Sequence, residues 1–170
     1  MSTEAARTIR EYRERDASAV TACIVELQEF ERRIDERLRP GESMAADYLG
    51  ELLRRCGECN GKILVAECDG RVAGFIVVLT RVAFEALDDP PGHYALVSDL
   101  VVRDGVRRRG IGRALLQEAE RCARAAGATE LRIGVLSANR AARRLYRRAG
   151  FAPYLETLAK RLDRLSGSGR

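Results

Sequence analysis

The sequence predicts a mixed α/β fold, one sheet with helices on both faces, and three observations carry that prediction. Lys62 to Cys68 and Val72 to Leu79 are apolar, β-branched runs joined by Asp69-Gly70, whose tolerance of positive φ favours a tight antiparallel hairpin. Tyr94 to Val102 reads as a buried strand, and Leu131 to Leu136 as a further one. Between them, Gly112 to Ala126 carries apolar residues at 115, 116, 119, 122, 123 and 126, the spacing of a single helical face. The crossover at residues 103–130 therefore makes two strands parallel neighbours in one sheet.

The remaining elements follow in chain order. Thr8 to Tyr12 alternates as a first strand, and Asp16 stands where it would cap a helix running through Val20, Ile24 and Leu27. A second helix is expected over Met44 to Arg55. Residues 81–94 contain Asp88-Asp89-Pro90-Pro91-Gly92 and read as a connection, because proline cannot donate to a ladder or a helix. Asn139 to Ala149 reads as a short helix closed by Gly150, and Tyr154 to Leu162 as a last strand. Residues 1–165 form one expected domain, with a frayed Ser/Gly-rich tail at 166–170.

Composition narrows the function class. Hydrophobic residues make up 46% and charged residues 32% of 170 residues, as in a globular domain able to bury a continuous core. No apolar run approaches the roughly 20 residues of a membrane span, and no apolar segment follows the N-terminal charges, so a cytosolic protein is expected. Five cysteines include one Cys56-x-x-Cys59 pair with no second pair to complete a zinc site. The stretch from Cys56 to Gly61 reads as a turn, unlike the helix start of a redox motif, and no metal site is expected. The net charge of +5 comes from arginine, since Lys62 and Lys160 are the only lysines. Such a balance suits anionic ligands without choosing among them.

The most informative stretch is the loop Arg103-Asp104-Gly105-Val106-Arg107-Arg108-Arg109-Gly110-Ile111-Gly112-Arg113, between a strand and a helix start. Gly110 and Gly112 allow a sharp turn and close approach of backbone N–H groups to a ligand. Free amides, the helix dipole and neighbouring arginines there all favour phosphate. A nucleotide P-loop would need Lys-Ser or Lys-Thr after Gly110, where Ile111-Gly112 stands. A dinucleotide loop would need glycine at 115, which is Leu115. The remaining pattern, Arg-x-x-Gly-x-Gly over Arg107, Gly110 and Gly112, resembles the pyrophosphate signature of the GNAT superfamily of acyl-CoA-dependent N-acetyltransferases. The block Asn139-Arg140-Ala141-Ala142-Arg143-Arg144-Leu145-Tyr146-Arg147-Arg148-Ala149-Gly150-Phe151 resembles the second pattern of that family, Asn-x-x-Ala-x-x-x-Tyr-x-x-x-Gly-Phe. The resemblance is specific over residues 94–162 and topological before them.

That resemblance implies a mostly antiparallel sheet whose two central parallel strands splay apart. It implies acetyl-CoA as cosubstrate, with its pyrophosphate on the amides of Arg107, Arg108, Arg109, Gly110, Ile111, Gly112 and Arg113. The strand carrying Leu100, Val101 and Val102 would pair with the pantetheine arm, Asn139 would bond the same arm, and Tyr146 would donate a proton to the departing thiolate. Read without the family, Asn139 is a helix N-cap and Tyr146 a core aromatic.

The proton acceptor is less defined. Family members often place a carboxylate on the strand before the loop, but Leu96 and Ser98 occupy those places, leaving Asp99 as base or Ser98 as a route through water. Asp99 would face away from the substrate by strand alternation unless a bulge intervenes. Glu85, Asp88, Asp89 and His93 lie in the connection expected to border the acceptor cleft. Ribosomal-protein N-terminal acetylases of the family carry glutamate where Gly134 stands, which disfavours a protein N-terminus as acceptor. A small-molecule or peptide primary amine is the expected acceptor, and dimers are common in the family. Two other classes stay open: a non-catalytic acyl-CoA sensor, and a nucleic-acid binder using Arg140, Arg143, Arg144, Arg147 and Arg148. Without aromatic interleaving, those arginines read better as a solvated face.

Overall fold

The computed structural model describes residues 7–84 and 90–162. Strands β1 (Arg7–Glu11), β2 (Lys62–Cys68), β3 (Arg71–Ala83), β4 (His93–Val102) and β5 (Leu131–Ile133) lie side by side in chain order. All neighbours are antiparallel except β4 and β5, which the crossover makes parallel. Helices α1 (Ala17–Arg32) and α2 (Ala45–Glu58) pack on one face, and α3 (Ile111–Ala125), with α4 (Arg140–Arg148) after β5, on the other.

The sheet separates two apolar cores. Val20, Cys23 and Ile24 of α1 and Leu49 and Leu52 of α2 pack on Phe75, Val77 and Leu79 of β3. Ile111, Leu115, Leu116 and Ala119 of α3 pack on Ile76, Val78 and Val97 from the opposite face. This explains why β3 is continuously buried from Ala73 to Thr80: both of its faces are covered, so apolar residues need not alternate with polar ones. Each such side chain contributes about 1.5–3 kcal/mol on burial.

On β4 the alternation changes phase. Leu96 packs with the α1/α2 core and Val97 with the α3 core, yet Val101 packs with α1/α2 and Leu100 and Val102 with α3. Regular alternation would put Val97 and Val101, four residues apart, on the same face. The register explains the reversal: Val78 pairs with Val97 and Val77 with Asp99, so Ser98 is an extra residue, a β-bulge.

Five expectations are corrected. The helix α2 runs through Cys56, Gly57 and Glu58, and the turn is confined to Cys59–Gly61, where Asn60 takes φ 48° and the Gly61 N–H closes back on the Cys56 carbonyl. Strand β3 extends to Ala83 and β4 starts at His93, with Ala83 opposite His93, so the connection is shorter than residues 81–94. Asp16 stands at the start of α1 but makes no capping bond to it, because its carboxylate is engaged by Arg10 and the Arg13 N–H. Residues 154–162 form no strand: Tyr154 is 71% and Leu158 85% exposed. Three-residue β5 offers too short a ladder for a nine-residue partner. The parallel pair consequently stands at the sheet edge rather than its centre. The expected tail at 166–170 lies outside the described residues.

The Arg10 guanidinium ties three elements together. It donates to both oxygens of Asp16, at 2.6 and 2.9 Å, and to Glu67 of β2 at 2.7 Å. Asp16 is only 5% exposed, and the Arg10 bonds hold its carboxyl below the usual range against the opposing effect of burial. A depressed folded-state pKa stabilises the fold above the unfolded pKa of about 3.9 and loses that contribution as pH falls through the folded value. Asp16→Asn should leave Arg10 without its charge partner and cost about 3 kcal/mol in urea unfolding at pH 7, with a shallower loss of stability below pH ~4. An unchanged midpoint would show that the network is not structural.

Candidate active site

Pairing between β4 and β5 covers only Ala95 to Val97 against Leu131 to Ile133. Beyond Val97, β4 continues to Val102 while the chain after Ile133 leaves the sheet. The edge of β4 from Ser98 onward therefore faces a gap, and the bulge at Ser98 marks where the gap begins. Below it lies a cavity of about 240 Å³ lined by Ser98, Asp99 and Leu100 of β4, Gly134 to Leu136, and Asn139 and Tyr146 around α4. Its other wall comes from Ile24, Leu27, Gln28 and Glu31 of α1, Met44, and Tyr48 of α2. The bulge lets the adjacent Ser98 and Asp99 both line this cavity.

The cavity is electrostatically unusual. Asp99 is 6% exposed and accepts one hydrogen bond, from the Tyr48 hydroxyl to Oδ1 at 3.0 Å. Its Oδ2 and the buried Ser98 Oγ have no partner among the described residues. Burial pushes the Asp99 carboxyl above the usual carboxylate range, while the neighbouring Ser98 side chain, the Tyr48 hydroxyl and the Arg55 charge pull it back. Burial also raises Glu31, helped by repulsion from Asp99. The Tyr146 phenol is pushed up to about 12 by burial and by the charges of Glu31 and Asp99. Carboxylates raised above their ordinary range beside unpartnered polar atoms suit proton transfer from a cationic group.

At the other end of β4 the loop to α3 has the opposite character. Arg108 and Gly110 take φ of 67° and 75°, turning the chain so that α3 starts at Ile111. Among the described residues, the N–H groups of Arg108 to Arg113 make no hydrogen bond to a protein acceptor, as expected for a helix start. Gly112 packs closely against α4: a Cβ there would crowd Leu145 Cδ2 at 3.1 Å, and Val102 would lie at 3.6 Å. Arg107 points back, its Nε donating to the Val102 carbonyl at 2.8 Å and its guanidinium pairing with Asp104. Glu26 of α1 accepts from the Asp104 N–H at 2.6 Å and lies 3.7 and 3.8 Å from Arg103 and Arg107. The exposed Arg108, Arg109 and Arg113 form no ion pair among the described residues. Free amides and uncommitted guanidinium groups fit a diphosphate.

The other expected site residues are partly brought together. Asn139 is the N-cap of α4, its Oδ1 accepting from the Ala142 N–H at 3.1 Å, which leaves the amide nitrogen for the cavity it lines. Leu100 lines the cavity, whereas Val101 is buried in the α1/α2 core with its carbonyl turned toward Gly74 of β3. His93 does not border the cleft: it begins β4, five residues before Ser98, roughly 17 Å away along the strand. The wall it was expected to share comes from α1 and α2 instead. Glu85, Asp88 and Asp89 lie outside the described residues. Tyr48, Glu31 and Glu26 were missed, because single polar residues in helices without a motif carry no sequence signal. A second hollow of about 190 Å³ near Gly150 and Phe151 is lined by no unpartnered buried group among the described residues.

With this geometry in place, comparison with known proteins is informative. Residues 24–151 match the family described as "Acetyltransferase (GNAT) family". Over 146 residues, 84% of this chain and 82% of the relative, the sequence is 30% identical to a thialysine N-epsilon-acetyltransferase of Bos taurus. A mutant BH1408 protein from Bacillus halodurans has a similar fold, with a TM-score of 0.79 at 20% identity, over 91% of this chain and 99% of that one. The aminoglycoside N-acetyltransferase AAC(6')-Iy, solved with CoA, also superimposes, with a TM-score of 0.69 at 15% identity, over 95% and 97% of the two chains.

The Tyr48–Asp99 contact has a direct readout. Removing the hydroxyl with Tyr48→Phe takes away a bond that favours the ionised carboxylate, so the Asp99 titration followed by carboxyl carbon NMR should move further upward. A titration that stays put would mean that Tyr48 does not tune Asp99.

Proposed function

Since this chain belongs to the acetyltransferase (GNAT) family, we propose that it transfers an acetyl group from acetyl-CoA to a primary amine by direct attack. The observation that carries this reading is the gap beside β4, with free amides at one end and an orphaned carboxylate at the other. The free amides of Arg108 to Arg113 would hold the pyrophosphate, the Arg107 N–H being engaged by the Asp104 carbonyl, with Arg108, Arg109 and Arg113 adding positive charge. The exposed backbone edge of Leu100 to Val102 would pair with the pantetheine amides, aided by the Asn139 amide nitrogen. When bound there, acetyl-CoA supplies an activated thioester carbonyl.

The chain's own groups then manage protons. Asp99 accepts the proton of the incoming ammonium, directly or through water on Ser98, so that the neutral nitrogen can bond to the acyl carbon as the carbon–sulfur bond breaks. Its raised pKa suits that task, since a base works best near the operating pH. The Tyr146 hydroxyl, in the same cavity, would face the departing sulfur. Complete proton transfer from a phenol of pKa about 12 to a thiolate of pKa about 8.5 would run uphill by about 5 kcal/mol. Tyr146 therefore acts chiefly as a hydrogen-bond donor that strengthens as charge develops on sulfur. The bovine relative, named for the N-epsilon amine of thialysine, supports a side-chain amine as the kind of acceptor for the cavity walled by α1, α2 and β4.

Thiol release from acetyl-CoA across a panel of primary amines tests the reaction. Tyr146→Phe keeps the ring against Phe151 and should lower turnover about 10²- to 10³-fold with acetyl-CoA affinity unchanged. Asp99→Asn should abolish the acid limb of kcat/KM, a limb lying above the ordinary carboxylate range in the parent. Undiminished turnover in Tyr146→Phe, with chemistry rate-limiting, would remove Tyr146 from the mechanism.

A further inference from the structure

The last turn of α1 presents a carboxylate for which the transfer step has no use. Three glutamates lie near this end of the helix, and two are committed: Glu26 to the loop before α3, Glu29 to Arg32 and the Gly41 N–H. The third, Glu31, is partly buried and lines the cavity with Asp99 and Tyr146. It makes no side-chain hydrogen bond or ion pair among the described residues, although arginines follow it directly in sequence. Arg32 is held by Glu29 and the Leu38 carbonyl, and the Arg33 guanidinium sits over the Phe30 ring at 5.6 Å. Arg55 acts on Asp99 and Tyr48 rather than on Glu31.

We infer that Glu31 is a specificity-determining residue, and that the acceptor carries a second positive charge in addition to the amine that is acetylated. The inference rests on the transfer reading above and deepens it. Two carboxylates line one cavity, Glu31 and the nine-tenths-buried Asp99 with its unpartnered Oδ2. The reacting nitrogen must give up its proton to become a nucleophile, and Asp99 is placed to take it. Once neutral, that nitrogen offers nothing to Glu31. A monoamine would thus leave Glu31 as an unpaired, partly desolvated anion throughout the reaction, a costly arrangement. An acceptor with a second ammonium would pair with Glu31 before, during and after transfer, and would hold the reacting nitrogen at Asp99 by its other end. The same carboxylate would repel an acceptor whose distal group is an acid.

Calorimetry on the CoA-saturated protein separates the cases, using two probes of equal length: 1,5-diaminopentane and 5-aminopentan-1-ol. The diamine should bind about tenfold or more tightly than the amino alcohol. Glu31→Gln should reduce that preference to within about twofold, and Glu31→Asp should keep part of it. Equal affinities in the parent, or a preference that survives Glu31→Gln, would overturn the assignment. Thiol release with the same probes is read separately. A Glu31-dependent binding preference without acetylation would reject the transfer reading and leave Glu31 as the recognition residue.

Discussion

One extra residue in β4 governs the rest of the site. Because Ser98 has no partner across β3, the strand reverses its facing: Val97 belongs to the α3 core and Val101 to the α1/α2 core. The same irregularity coincides with the end of pairing to β5. Without it, Ser98 and Asp99 would point to opposite faces, and the ladder could run on to close the gap. With it, a carboxylate is buried at the floor of a cavity and a length of strand edge is left open beside it. The cost is local: a bulge, one orphaned hydroxyl and one orphaned carboxylate oxygen, held by strands whose other contacts are dense and apolar.

Charge is arranged along β4 in a way that follows from this. At its C-terminal end, free amides and uncommitted arginines gather where α3 begins, and Glu26 reaches across from α1 to hold the loop in shape. Near its middle, Asp99 and Glu31 make the cavity acidic, with the neutral Tyr48 and Tyr146 hydroxyls beside them. Tyr146, on the helix that follows β5, is a weaker acid than a free phenol because it is buried and, secondarily, because it feels both carboxylates. An anion at one end and a cation at the other can occupy the two regions together.

How much of this was legible in the sequence depends on whether the signal was local. The Asp69-Gly70 hairpin, the amphipathic α3 and the Gly110-x-Gly112 helix start are written in consecutive residues, and each forms with φ at Asp69, Gly70 and Gly110 of the expected sign. The facing of Asp99 was not legible, because alternation and a bulge predict opposite answers and only packing on both sides of the sheet decides. Glu31 and Tyr48 were equally hidden: nothing in α1 or α2 marks them until the helices dock and bring them beside Asp99. The expected strand over Tyr154 to Leu162 shows the converse, an alternating pattern that finds no edge long enough to join. Asn139 and Tyr146, inferred from a family pattern, do line one cavity, although Asn139 also serves as the cap that the bare sequence suggested.

In the proposed reaction one ligand, acetyl-CoA, would lie along β4 from the α3 start to Asp99. Backbone amide NMR on the ¹⁵N-labelled protein, titrated with acetyl-CoA, tests it most directly. The largest shifts should fall on Arg108 to Arg113 and on Leu100 to Val102, with the amides of β1 and β2 unmoved. Saturable binding that leaves those two segments unperturbed would contradict the account.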